Sequence, residues 1–139
     1  MASDLSLVCV IGLMLVRASG LIGFMPYLSI HTNANLVDER QSELLAAAAR
    51  IASSQLSKPE EYMMVSITPV QRLIFGGNED PAAFLELRSV GVPDGKRDSL
   101  CGELTDLIAS KCGIAKHRIY VVLINIEAKL WAQKGKPFA

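Results

Sequence analysis

The stretch Tyr27–Thr32, YLSIHT, alternates in polarity and predicts a β-strand, and a related stretch occurs later as Ala83–Ser89, AFLELRS. A shift of 57 residues places the first stretch on the second. The paired residues are Tyr27 with Phe84, Ile30 with Leu87 and Thr32 with Ser89. The same shift places Ile51-Ala52-Ser53 on Ile108-Ala109-Ser110 and Tyr62 on Ile119. The chain therefore contains an internal repeat, and this repeat decides the predicted fold.

Each repeat is predicted to contain a strand, a helix and a second strand. In the first repeat, apolar residues at helical spacing predict a helix over Glu39–Leu56, with Asp38 as its N-cap. Ser57-Lys58-Pro59 ends that helix, because proline restricts the residue before it. The following strand is predicted over Tyr62–Thr68.

The second repeat has the same pattern and is followed by a tail. A helix is predicted over Asp98–Cys112 and a strand over Arg118–Ile124. The apolar stripe expected along that helix consists of Cys101, Leu104, Ile108 and Cys112. The tail from Lys129 to Ala139 is expected to be irregular.

Two right-handed strand–helix–strand units predict an α+β fold, in which a four-stranded sheet carries both helices on one face. The opposite face of the sheet would be bare. Strands with little charge on either side, such as Tyr62–Ile67 and Ile119–Ile124, need that face covered. In a chain this short, we expect other copies of the same chain to cover it.

Composition sets limits on the function. The chain has 139 residues, with 14 acidic and 14 basic side chains, so no charge excess indicates binding to nucleic acid or an anionic membrane. Cys101 and Cys112 lie about 16 Å apart along one predicted helix, too far for a disulfide. No cluster of cysteine and histidine indicates a metal site.

Residues 1–25 differ from the rest and are interpreted as an apolar extension ahead of one domain at residues 26–139. Leu5–Val16 is almost wholly apolar, and Arg17, Ala18 and Gly20 follow it. A signal peptide has an apolar segment of this length. A membrane anchor is the second interpretation, although Arg17 near its middle is costly. In the third interpretation the working protein lacks the segment, because translation starts at Met25 or the segment is removed.

The third interpretation gives Pro26 a chemical role. If the chain is cut between Met25 and Pro26, the proline nitrogen becomes a free secondary amine that can accept a proton. If the chain is not cut, the same nitrogen is a tertiary amide without useful basicity.

Ordered short motifs give the domain a family resemblance. They are the Pro26 start, Thr32-Asn33, Ser57-Lys58-Pro59 followed by Tyr62, Phe75-Gly76-Gly77, Ser89-Val90-Gly91, Arg118-Ile119-Tyr120 and the Phe138-Ala139 end. In this order and spacing, over about 114 residues, the chain resembles macrophage migration inhibitory factor and D-dopachrome tautomerase, within the tautomerase superfamily. The resemblance implies the same doubled fold and a homotrimer whose three sheets surround a central channel.

The resemblance also implies a catalytic site and a reaction. Pro26 would be the acid/base catalyst of a cofactor-free keto–enol tautomerase, an isomerase of the phenylpyruvate tautomerase or dopachrome isomerase type. Its substrate would be a small aromatic 2-oxo acid or a dopachrome-like compound, and no metal is implied. The substrate-binding residues would be Lys58, Ser89 and Val90 of the same subunit, Tyr120 of a neighbour, and Tyr27, Trp131 and Phe138 around the aromatic ring.

The chemistry of the implied residues suits this reaction. A base that removes a proton from carbon must be neutral near pH 7. Apolar walls and a nearby cation both lower the pKa of an amine. Lys58 can supply that positive charge and hold the carboxylate of an acidic substrate.

Some positions depart from the family pattern. Ala82 and Leu85 stand where one relative has the cysteines of a CxxC motif, so we expect no thiol oxidoreductase activity. Val122, Gln133 and Lys136-Pro137 also differ, and Trp131, Lys134 and Lys136 could alter the pocket wall and the charge at its entrance. An alternative function is a secreted, cytokine-like protein that binds a cell-surface receptor with little or no turnover. The expected location is extracellular, cytoplasmic or both.

Overall fold

Two strand–helix–strand units and a short tail make up the fold in the computed structural model, which describes residues 25–139. The interpretations of the preceding extension fall on residues 1–24, outside the described residues, apart from Met25. In chain order the main elements are β1 (Tyr27–Thr32), α1 (Asp38–Leu56), β2 (Met64–Pro69), β3 (Ala83–Ser89), α2 (Arg97–Cys112) and β4 (Ile119–Asn125). A small hairpin follows, formed by β5 (Ala132–Gln133) and β6 (Lys136–Pro137).

The sheet confirms the predicted α+β topology. Its strand order is β2-β1-β3-β4. β1 is parallel to β2, β3 is parallel to β4, and the central strands β1 and β3 are antiparallel. Each helix is therefore the crossover of one repeat, and both helices pack on the same side of the sheet into one core. Within residues 25–139, no helix has the length and apolar character needed to cross a bilayer.

The core contains alternate strand residues and one stripe of each helix. Leu28 and Ile30 of β1 and Leu85 and Leu87 of β3 have no exposed surface. They pack on the helical stripes, which are Leu44, Ala48 and Ala52 in α1 and Leu100, Leu104 and Ile108 in α2. Burial of this continuous apolar surface is the main force that holds the helices to the sheet.

The repeat is offset by one residue between its strands and its helices. Leu28 and Leu85 are equivalent at the predicted shift of 57, but the buried helix stripes match at a shift of 56. The predicted pairing of Ile51 with Ile108 is therefore wrong, because Ala52 takes the equivalent place. The reason is that the chain from Ser89 at the end of β3 to Leu100, the first buried residue of α2, is one residue shorter than that from Thr32 to Leu44 in the first repeat.

Several predicted boundaries also shift. Asp38 is the first helical residue of α1 and not its N-cap, which is Val37, with no side-chain capping bond. Asp38 still places negative charge at the positive end of the helix. β2 begins at Met64, since Glu60–Tyr62 form a short 3₁₀ turn after Pro59.

The cysteine stripe of α2 is only partly correct. Leu104 and Ile108 are buried as predicted, and Leu100 completes the stripe. Cys101 and Cys112 are half-buried at its margin and are free thiols, as predicted. Burial is the main cause that raises the pKa of both thiols.

The tail is more regular than predicted. Lys134 and Gly135 have φ of 56° and 79°, which closes the tight turn between β5 and β6. The amide of Phe138 donates to the carbonyl oxygen of Trp131 at 2.9 Å. The prediction of an irregular tail is therefore wrong, because backbone pairing orders it.

The sheet face opposite the helices is bare in the single chain, as predicted. It presents alternate residues of all four main strands, including exposed Met64, Phe84 and Tyr120. Its charged residues include Glu86 and Arg88, which form an ion pair at 3.2 Å. Large exposed apolar side chains on a sheet face are typical of a surface that binds another protein chain.

Candidate active site

The helix end at Ser57 places Lys58 at the proposed site. Ser57 adopts the left-handed conformation (φ 57°, ψ 45°) and so turns the chain out of α1. The amide of Lys58 then donates to the carbonyl oxygen of Ser53 at 3.0 Å, and the Ser53 hydroxyl donates back to the Lys58 carbonyl oxygen. These two bonds fix the backbone from which the lysine side chain extends.

The Lys58 side chain reaches the end of β3. Its Nζ donates to the carbonyl oxygen of Val90 at 2.8 Å and contacts the Ser89 hydroxyl oxygen at 3.4 Å. Burial lowers the pKa of Lys58 from 10.5 to about 8, because the ammonium is partly removed from water. At neutral pH the lysine is still mainly charged, and its charge lies inside a partly apolar site.

Ser89 and Val90, the two residues that the Lys58 ammonium contacts, are both buried. Ser89 has no exposed surface, and Val90 is 6% exposed. The Ser89 carbonyl oxygen accepts a bond from the Ile126 amide at 2.9 Å. The Asn125 side-chain oxygen accepts from the amide of Gly91 at 2.9 Å. Gly91 has φ of 83°, a conformation that favours glycine.

Pro26 lies at the same end of the sheet. Its ring is buried, and its carbonyl oxygen accepts a bond from the Met64 amide at 3.0 Å. Tyr27 pairs with Arg88, so continuing this antiparallel register by one residue places Pro26 opposite Ser89. The structure therefore brings Pro26, Lys58, Ser89 and Val90 together at one end of β1 and β3.

Tyr27 and Trp131 line an open cleft beside this cluster, with a volume of about 400 Å³. Met25, Tyr62, Met63 and Met64 contribute to its lining. The Tyr27 hydroxyl shares a 2.7 Å hydrogen bond with Ser66, so its ring is fixed against β2. Phe138 is linked to this cleft through its backbone bond to Trp131.

Tyr120 lies away from these residues within the single chain. It pairs with Phe84 on β3, five residues before Ser89. At the rise of a β-strand, this separation is about 16 Å along the sheet. Tyr120 is 58% exposed, and its ring contacts Phe75 with centroids 4.9 Å apart. One chain therefore does not assemble all of the predicted site residues.

Sequence reasoning gave no role to Arg118 or Asn125. Arg118 is only 8% exposed and binds four backbone carbonyl oxygens of the loop before β3. Asn125 fixes the turn at Gly91. The sequence signal for Arg118 is its position directly before an apolar strand, because a guanidinium buried there needs several hydrogen-bond acceptors. Asn125 carries no comparable signal, because its partner is distant in sequence.

A doubled strand–helix–strand unit, whose four-stranded sheet carries both helices on one face, is the architecture of the tautomerase fold class, and here Pro26 and Lys58 lie at one end of that sheet. Comparison with known proteins is more specific. A family model described as macrophage migration inhibitory factor matches residues 25–139, and the chain belongs to this family, which is part of the tautomerase superfamily.

Relatives and solved structures agree with this assignment. The chain is 35% identical over 115 residues to the macrophage migration inhibitory factor homolog of Brugia malayi, covering 82% of this chain and 99% of the relative. It is 36% identical over 116 residues to the homolog of Trichinella spiralis, with coverage of 82% and 100%. The solved structure of the Trichinella spiralis factor superimposes with a TM-score of 0.72 at 29% identity, over 80% of this chain and 98% of that one.

Proposed function

We propose that the protein is a cofactor-free keto–enol tautomerase in which Pro26 is the acid/base catalyst. The observation that carries this proposal is the cluster of Lys58, Ser89 and Val90 at the end of the sheet where Pro26 begins β1. A buried ring nitrogen at the same end of the sheet as an ammonium suits an amine base that must be neutral near pH 7. The substrate class is a small aromatic 2-oxo acid, such as phenylpyruvate, or a dopachrome-like compound.

The chemistry requires Pro26 to be the first residue of the working protein. In that state, the proline nitrogen takes a proton from the carbon next to the substrate carbonyl. The electron pair moves to the carbonyl oxygen, which gains a proton from water to give the enol, and the reverse steps return the ketone. The family match supports this requirement, because it begins at Met25, and relatives are covered over 99% to 100% of their length by this region.

Lys58 is the anchor of the substrate carboxylate in this proposal. An ammonium has three donors, so Lys58 can keep its bond to the Val90 carbonyl oxygen while another donor passes from its present partner to a substrate carboxylate. Partial burial strengthens that ion pair relative to one at the surface. The positive charge also disfavours protonation of Pro26, which keeps the base ready to accept a proton.

A homotrimer would complete the site. The bare sheet face offers a surface for neighbouring copies, and Tyr120 lies on that face at the end opposite Pro26. In the proposed assembly, Tyr120 of one subunit closes the pocket of the next. Tyr27, Trp131 and Phe138 would pack against the aromatic ring of the substrate.

Intact-mass measurement of the native protein combined with a phenylpyruvate assay tests the proposal. We expect a first residue of Pro26 and measurable turnover, and loss of most turnover in a Pro26→Gly variant that folds normally. A retained residue ahead of Pro26 in the active protein, or full activity of Pro26→Gly, would exclude Pro26 as the base.

A second candidate function is receptor binding without turnover, as a secreted cytokine-like protein. It is favoured if Met25 stays attached, because the Pro26 nitrogen is then an amide while the surface of the domain is unchanged. The same mass measurement separates the two candidates. Quantitative detection in cell fractions and in medium would determine whether the protein acts outside the cell, in the cytoplasm or in both places.

A further inference from the structure

Arg118 holds the loop between β2 and β3 in one conformation. Its Nε donates to the Pro81 carbonyl oxygen at 2.9 Å, and one terminal nitrogen donates to the Phe75 carbonyl oxygen at 2.8 Å. The other terminal nitrogen reaches the Asp80 and Asn78 carbonyl oxygens at 3.0 and 3.3 Å. The planar guanidinium presents its donors in a fixed fork, so these bonds define both the position and the orientation of the loop.

The loop conformation fixes the ring of Phe75. Gly76 and Gly77 follow it with φ of 65° and 85°, which turns the chain back into a short bridge between Phe75 and Asn78. The Arg118 guanidinium carbon lies 5.1 Å from the centroid of the Phe75 ring. This cation–π contact holds the ring from one side.

Phe75 also contacts Tyr120. The two ring centroids are 4.9 Å apart and the planes are inclined at 51°, within the range of favourable aromatic pairs. Tyr120 is otherwise exposed on the bare face of an edge strand. The Phe75 ring therefore restricts the orientation of the Tyr120 side chain.

We infer that Phe75, held by Arg118, is a positioning residue that orients Tyr120 toward the active site of a neighbouring subunit. This inference rests on the proposed function. Arg118, Phe75 and Tyr120 form a connected series from a buried charge to the bare face. Phe75 acts only through Tyr120 and does not itself contact the substrate. Its effect is therefore on substrate binding, with little effect on the proton transfer at Pro26.

Steady-state kinetics of Phe75 variants in the full chain test this role. Loss of one aromatic pair corresponds to about twofold to twelvefold in binding, so Phe75→Leu is expected to raise KM for phenylpyruvate about fivefold, with kcat within twofold. Phe75→Tyr keeps an aromatic ring, so its KM for phenylpyruvate is expected to lie close to the wild-type value. Arg72→Gln, which removes the exposed ion pair to Glu79 in the same loop, serves as a control for general loop disturbance.

A double-mutant cycle separates positioning from a general structural effect. In a Tyr120→Ala background, Phe75→Leu should change KM by less than about 1.5-fold, because the residue through which it acts is absent. An equal effect of Phe75→Leu with and without Tyr120 would overturn the inference, as would an unchanged KM in the single variant.

Fluorine NMR gives a measurement that does not need activity. The chain has three tyrosines, and with 3-fluorotyrosine the Tyr120 resonance is identified by its loss in Tyr120→Phe. We expect Phe75→Leu to shift the Tyr120 resonance and leave those of Tyr27 and Tyr62 in place. If the wild-type protein shows no turnover, the proposed function fails. The Tyr120 resonance alone then decides whether Phe75 holds Tyr120, and an unchanged resonance in Phe75→Leu would refute that role.

Discussion

The Lys58 ammonium donates a 2.8 Å hydrogen bond to the carbonyl oxygen of Val90. This bond joins the end of α1 to the end of β3, so one side chain links the two repeats at the place where Pro26 starts the sheet. The bond satisfies part of the hydrogen-bonding need of a partly buried charge. Burial remains the cause that sets its pKa at about 8.

Activity toward a carboxylate substrate should decline as the pH rises through about 8, the pKa of Lys58. Below that pH the lysine is charged and binds the carboxylate; above it the charge is lost, and KM rises. The measurement is kcat/KM for phenylpyruvate between pH 6 and 10, with the methyl ester as a neutral control substrate. The decline should be absent or much weaker for the ester.

A Lys58→Arg variant provides the matched control for that profile. Arginine stays charged throughout this range, so the decline for phenylpyruvate should disappear even if the maximum activity is lower. If Lys58→Arg and the wild-type protein decline together, the titrating group is not Lys58.

Stability should also depend on pH through Lys58, with a defined sign. Its pKa is about 8 in the folded protein and has an ordinary value of 10.5. Between these values the unfolded chain binds more protons, so the free energy of unfolding attributable to Lys58 increases as the pH rises. The urea midpoint of the wild-type protein should therefore rise relative to that of Lys58→Met between pH 8 and pH 10. A constant difference would contradict the lowered pKa.

Loss of the secondary amine at Pro26 should reduce the rate of proton transfer. Pro26→Gly leaves a free primary amine, and we expect kcat/KM to fall by about 100-fold or more, in the range typical of general acid–base groups. A variant that keeps Met25 attached to Pro26 should be less active still, because the nitrogen is then an amide. Circular dichroism and the oligomeric mass of both variants should match those of the wild-type protein.

The sequence predicted the strands more accurately than the details around them. β1 and β3 have the predicted bounds because their alternation reports directly on a half-buried sheet. The prediction of Asp38 as the N-cap of α1 was wrong. Residue type alone cannot show whether Val37 or Asp38 is the last residue before the helical conformation begins. The hairpin at Lys134-Gly135 was missed because a lysine with positive φ is uncommon.

The candidate site was predictable only in part. Lys58 and Val90 each lie in a short motif of the family resemblance, which identified them as site residues. Lys58 follows a helix and Val90 follows a strand, and the topology of the fold places these two ends together. The distance between Tyr120 and this cluster follows from the register of β4, which a single repeat pattern does not fix. The role of Arg118 depends on four long-range bonds to one loop. Its place directly before an apolar strand indicates a need for acceptors, but it does not indicate which loop supplies them.

Replacement of Arg118 should destabilise the protein. Arg118→Lys keeps the positive charge but cannot reproduce the fork of bonds to four carbonyl oxygens. Breaking several bonds of a buried guanidinium to partly buried acceptors is expected to lower the free energy of unfolding by about 2–4 kcal/mol. Arg72→Lys, at an exposed ion pair, is the control and should change it by less than about 0.5 kcal/mol. Chemical denaturation of both variants measures the difference; equal stability would show that the Arg118 bonds contribute little.

Mixed trimers test whether Tyr120 acts across a subunit boundary. Pro26→Gly lacks the base and Tyr120→Ala lacks the neighbour's ring, so each variant alone should show low activity at limiting substrate. When the two are unfolded together in equal amounts and refolded, about a quarter of the sites in random trimers should combine an intact Pro26 with an intact Tyr120. Activity should then rise toward that fraction of wild type. Simple mixing without unfolding is the control and should give only the average of the two variants. No gain on refolding would indicate that Tyr120 does not serve the site of another subunit.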